Sequence, residues 1–210
     1  MIELQNIYKK YGNNVLFEDV NVRFDKQKTK LKGENGIGKS VLLKMIVRYS
    51  VPDKGTITFE NKVLRSDADF LENAGVSINS PQFIPSWTGY DNLKYLAGIR
   101  NVCSEVKLQK LLSDFGLSGD QKKKYKTYSL GMCQKMRLIQ AIMDDPKYLI
   151  LDEPFDALDK AAKLKAREII GSYLNEDHDR MLIYTSHTED DDEFADEIFE
   201  VNNYKVELIH

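Results

Sequence analysis

Gly33-Glu-Asn-Gly-Ile-Gly-Lys-Ser40 is the stretch on which the reading of this chain turns. It fits GxxxxGK[ST], in which the glycines let successive backbone N–H groups point inward at phosphate oxygens without side-chain obstruction. Asn35, Gly36, Gly38 and Lys39 are thereby candidate phosphate contacts, with Lys39 adding a mobile positive charge for the β- and γ-phosphates. Ser40 supplies a hydroxyl suited to Mg²⁺, and the helix that begins here turns the positive end of its dipole toward the same anion. All of these act on one ligand, the phosphate chain of a nucleotide such as ATP.

Outward from the loop, Val41, Leu42, Met45 and Ile46 recur at helical spacing, and Pro52 to Gly55 ends that element before a strand at Thr56 to Phe59. Strand, loop, helix is the order a phosphate site requires and predicts an α/β, P-loop fold. The approach strand is unusual, because Lys28, Lys30 and Lys32 alternate where a central strand is normally apolar. Two readings stand: an exposed or edge-like strand whose lysine stems snorkel, or added positive potential near the phosphates.

A second site lies far along the chain. Tyr148 to Leu151 is a continuous apolar run of the buried parallel kind, followed at once by Asp152 and Glu153. In open α/β sheets ligands bind at the carboxyl ends of the strands. Asp152 suits a Mg²⁺ held through water. Glu153, projecting the other way by strand alternation, suits polarisation of the attacking water. Another apolar strand, Met181 to Thr185, delivers His187 to the same edge, where it could meet a γ-phosphate or the water or serve structure alone. The acidic run Glu189 to Glu193 reads as a solvated first helical turn without chemistry.

The remainder frames these motifs. Ile2 and Leu4 alternate with polar residues, the chain turns at Gly12 to Asn14, and Val20, Val22 and Phe24 resume the two-residue period of antiparallel strands. Residues 92–117 turn helical, and Lys122 to Lys126 separates that lobe from the segment at Tyr128. Met132, Met136, Ile139 and Met143 share a helix face that Pro146 closes, and the end of the chain reads as a hairpin turning at Asn202 and Asn203. The 210 residues suit one globular unit, and a net charge of −3 argues against a generally nucleic-acid-binding surface. No apolar run is long enough to cross a bilayer. The opening residues lack a secretory signal, and Cys103 and Cys133 show no metal-ligand spacing, which points to the cytosol.

Tyr128-Ser-Leu-Gly-Met-Cys-Gln-Lys-Met, just upstream of the carboxylate strand, resembles the LSGGQ signature of the ATP-binding-cassette (ABC) ATPases, and the likeness extends over nearly the whole chain. That resemblance implies a RecA-like core, 1–78 and 136–210, with an N-terminal antiparallel β-subdomain and an inserted helical subdomain, 79–135. It implies ATP and Mg²⁺ as ligands and a head-to-tail dimer, with a second copy or a paralogous ATPase, in which Ser129 and Gly131 act on the partner's nucleotide. Tyr11 falls where an aromatic stacks on adenine, with a core tyrosine as the alternative reading. Asp159 falls in the loop that communicates between the two sites, and His187 at the switch histidine. Asn79 occupies the position usually held by glutamine, offering Mg²⁺ a shorter reach, with Gln82 three residues too late; Leu130 replaces the first signature glycine. Together with Pro81-Gln-Phe-Ile-Pro and Thr88-Gly-Tyr-Asp-Asn-Leu, this is most similar to bacitracin- and lantibiotic-type exporter ATPases. The resemblance implies an ATPase held at the inner face of the cell membrane by a separately encoded permease. Phe83, Ile84 and Trp87 could dock that partner or simply pack the core. A soluble cassette acting on nucleic acid or the ribosome would carry long coiled coils or two cassettes, and a P-loop kinase would leave the signature without a role.

Overall fold

The computed structural model describes residues 1–79 and 83–210, and two sheets hold the described strands. The first is antiparallel, with order β2-β1-β4-β5, built from β1 (Ile2–Tyr11), β2 (Asn14–Phe24), β4 (Lys54–Phe59) and β5 (Lys62–Val63). The second has order β10-β9-β3-β8-β7-β6. Its members are β3 (Lys28–Lys32), β6 (Ala74–Ser77), β7 (Tyr148–Leu151), β8 (Met181–Thr185), β9 (Glu197–Asn202) and β10 (Lys205–Leu208). All pair in parallel except β10.

The apolar runs explain how the layers stack. On β7 and β8, Tyr148, Ile150, Met181 and Ile183 face one core, which they share with the antiparallel sheet and with α1 (Lys39–Ile46). Leu149, Leu151, Leu182 and Tyr184 face the other core, beneath α2 (Gly89–Arg100), α3 (Glu105–Asp114), α4 (Leu130–Ile142) and α5 (Lys160–Asn175). A strand buried on both faces needs apolar residues at every position, and β7 is buried at all four. Met136, Ile139 and Met143 are buried as their helical spacing predicts, while Met132 is half-buried. The stretch 92–117 is two helices, because Asn101 takes a left-handed conformation (φ 54°) that ends α2 and Ser104 then caps α3. Lys122 to Lys126 does more than separate, since Tyr125 within it is buried and bonds back to Trp87. The final hairpin turns at Asn203 and Tyr204, both at positive φ, one residue later than expected.

The approach strand overturns both readings of its lysines. β3 is interior, flanked by β8 and β9, and Lys30 is fully buried. Its ammonium donates to the Thr188 carbonyl at 2.6 Å and pairs with Asp192. Lys28 pairs with Asp196 at 3.1 Å, and Lys32 with Asp192 at 3.5 Å and Glu189 at 3.7 Å. Lys30 and Lys32 therefore answer the acidic run, and Lys28 answers Asp196 just beyond it. That run forms a 3-10 turn, Glu189–Phe194, in which Glu189, Asp190 and Glu193 are exposed as expected, but Asp191 departs from the expectation at only 1% exposed. Among the described residues no helix is long and apolar enough to cross a membrane.

Candidate active site

The glycine loop leaves β3 and enters α1 with Gly38 as its N-cap and no side chain capping the helix, so the first amides of α1 keep their donors free for an anion. Gly38 lies at φ 117°, and a Cβ there would sit 3.0 Å from the Phe17 ring. Only glycine lets the loop pass so close to β2. Lys39, 6% exposed, folds its ammonium back onto the carbonyls of Gly33 (2.6 Å) and Glu34 (2.9 Å). Burial lowers its pKa, and the nearby charges of Glu153 and Asp152 oppose that shift.

β7 brings the acids to this loop. A cleft of about 320 Å³ is lined by Asn35, Gly36, Gly38, Lys39, Ser40, Val41, Asp152 and Glu153. The Thr185 hydroxyl donates to Asp152 Oδ1 at 2.7 Å, and Thr185 Oγ1 in turn accepts from the Glu153 amide at 2.9 Å. Strand alternation does not aim Glu153, because β7 ends at Leu151 and Glu153 adopts φ 47°. Its aim comes from that left-handed turn, with Gln134 of α4 donating to the carbonyls of Glu153 (3.3 Å) and Pro154 (2.8 Å). His187 Nδ1 lies 3.5 Å from Glu153 Oε1, and ligand-type atoms of Glu153, Asp156 and His187 all fall within 4.8 Å of one another. Burial first, then the charge of Asp156, raises the Glu153 pKa, and His187 draws it down. Ser40 and Asp152, both hard oxygen donors facing one cleft, fit Mg²⁺.

The other candidates spread around this centre. Asn79 follows β6 at φ 54°, is exposed, and is not among the cleft-lining residues; Pro81 and Gln82 lie outside the described residues. Tyr11 is 53% exposed, so it is no core tyrosine, and its hydroxyl lies 3.3 Å from that of Ser50. Ser129 caps α4 by accepting from the Met132 amide at 3.2 Å, and both it and Leu130, 78% exposed, face outward. Gly131 packs against the Ala157 carbonyl, 3.0 Å from where a Cβ would stand. Neither Ser129 nor Gly131 lines the cleft of its own chain. Asp159 caps α5 through the Ala162 amide at 2.8 Å. Phe83 is buried against Tyr125, while Ile84 and Trp87 are partly exposed. Sequence reasoning missed Thr185, Gln134 and Asp156; the one signal available was their position beside the motifs.

A phosphate loop opening a helix, facing a carboxylate pair just past the end of a parallel strand, defines the class of P-loop nucleoside triphosphatases. The match to known sequences narrows the class. The family model described as ABC transporter covers residues 17–156. The chain belongs to this family, as its ATP-binding and ATP-hydrolysing type. It is 31% identical over 211 residues to the uncharacterized ABC transporter ATP-binding protein YybJ of Bacillus subtilis (strain 168), covering 99% of this chain and 95% of that one. It is 33% identical over 189 residues to the bacitracin transport ATP-binding protein BcrA of Enterococcus faecalis, covering 89% of this chain but 61% of the relative. The dimeric structure of MJ0796, a bacterial ABC transporter cassette, superposes with a TM-score of 0.84 at 22% identity, over 99% of this chain and 97% of that chain. At that identity the likeness establishes the fold.

Proposed function

We propose that this chain is the motor of an antibiotic- or peptide-type exporter, hydrolysing ATP sandwiched between two cassettes beneath a separately encoded permease. The observation that carries the reading is the placement of the two anion-binding helix ends: one is lined with acids in the cleft, the other, at Ser129, opens outward from the same chain. A second cassette, a copy or a paralogue, would bring its signature over this cleft and offer its own cleft in return. The BcrA relative, named for bacitracin transport, supports a substrate of that class, and the dimeric MJ0796 cassette supports the pairing. We assign residues 1–78 and 136–210 to the nucleotide-binding core and 79–135 to the helical lobe, with Ile84 and Trp87 facing the permease on the cytoplasmic side of the membrane.

In this reading Asn35, Gly36, Gly38 and Lys39 hold the phosphates, and Tyr11 offers its exposed ring to adenine. Ser40 and Asp152, with Asn79 alongside, would hold Mg²⁺, which neutralises phosphate charge. Glu153 takes the proton of the attacking water, and His187 steadies the γ-phosphate or that water. Glu153→Gln keeps the size of the side chain and removes the base, so turnover should fall by about 10² to 10⁴ while ATP still binds. Light scattering with ATP should then show an accumulated dimer. Turnover at the wild-type rate would overturn the assignment of the base.

A further inference from the structure

The acidic turn after His187 holds a carboxylate with an unusual set of partners. One oxygen of Asp191 accepts from the Ser186 hydroxyl and from the Thr188 hydroxyl at 2.7 Å, so the two residues flanking His187 are tied to one atom. The other oxygen meets Lys163 at 2.9 Å and the Arg167 guanidinium. Lys163 and Arg167 stand one turn apart on α5, the helix launched from the Glu153 loop, and Arg167 also lies over the Phe155 ring, 5.4 Å from its centroid. The next residue, Asp192, takes Lys30 of β3, which donates in addition to the Thr188 carbonyl. The His187 ring itself is 43% exposed and meets Glu153 at 3.5 Å, so its position is inherited from the backbone on either side. Burial opposes ionisation of Asp191, but bonds from Ser186, Thr188, Lys163 and Arg167 hold its pKa down to about 2.

We propose that Asp191 is a positioning residue that holds His187 in register with Glu153, gripping the histidine loop through the hydroxyls of Ser186 and Thr188 and the Glu153 side through Lys163 and Arg167. The proposal rests on the reading of His187 and Glu153 as the hydrolytic pair. Misplacement by about 1 Å is enough to cost up to 10² in rate, so a clamp of this kind acts on turnover with ATP affinity spared.

Replacing Asp191 itself would strand two cations and endanger folding. The test therefore removes the tethers: Ser186→Ala with Thr188→Val, made in the wild-type chain and in a His187→Ala background, with kcat and KM for ATP measured in all four proteins. The hydroxyl variant should lose about ten-fold in kcat with KM within about two-fold, and Thr188→Ser should keep most of the rate. In the His187→Ala background the same two substitutions should change kcat by less than about two-fold, because there is no longer a histidine to place. A wild-type kcat in the hydroxyl variant, beside a slow His187→Ala, overturns the positioning role alone. An equal loss with or without His187 also overturns it, marking the clamp as structural. Wild-type turnover by His187→Ala removes the role assigned to the histidine, and the proposal falls with it.

Discussion

Glu153 stands between a carboxylate and an imidazole that pull its proton affinity in opposite directions. Burial and the charge of Asp156 raise its pKa, and His187 lowers it. A base must be ionised to accept a proton, so a raised pKa moves the acid limb of turnover upward in pH. Asp156→Asn removes one of the raising charges, and the acid limb of kcat should therefore move to lower pH. Turnover measured from about pH 5 to about pH 8 checks this, and an unmoved limb would show that Asp156 does not set the titration of the base. Lys39, Ser40 and Asp152, which the structure brings to one cleft, were legible because they sit in short motifs of fixed spacing. Thr185 and Gln134 were not legible, because each acts across the fold on a backbone group of the Glu153 turn.

Among the elements, β7 and β8 were legible as buried strands since apolarity at every position permits little else. β3 was not, because its lysines are neutralised by a segment far along the chain, and local sequence carries no trace of that partner. The acidic turn failed for the complementary reason. The break between α2 and α3 depends on Asn101, whose tolerance of a left-handed backbone is a weaker signal than a glycine. Helix and sheet meet most closely at β6, where a Cβ on Gly75 would come within 1.9 Å of the Ala141 carbonyl on α4. Backbone on both sides leaves little to yield, and Gly75→Ala should destabilise the protein by about 3 kcal/mol. A urea midpoint equal to that of the wild type would contradict such tight packing.

At the scale of the whole molecule the phosphate cleft and the signature lie on one chain but do not meet. If two copies complete each other's sites, Lys39→Ala and Ser129→Arg should each be slow alone, by roughly 10² or more. Mixed in equal amounts, they should recover a substantial share of wild-type turnover, since the mixed pair contains one site with both halves intact. A mixture no faster than its parts would sink pairing between copies of this chain. The architecture also bears on how the protein is made. Among the described strands β3, which carries the phosphate loop, pairs with β8 and β9, at 181–185 and 197–202. Synthesis delivers the loop about 150 residues before β8, so among the described strands β3 gains its first neighbour only once residues 181–185 have been made. A product cut short before β8 therefore carries the complete phosphate-binding motif without the strands that flank β3.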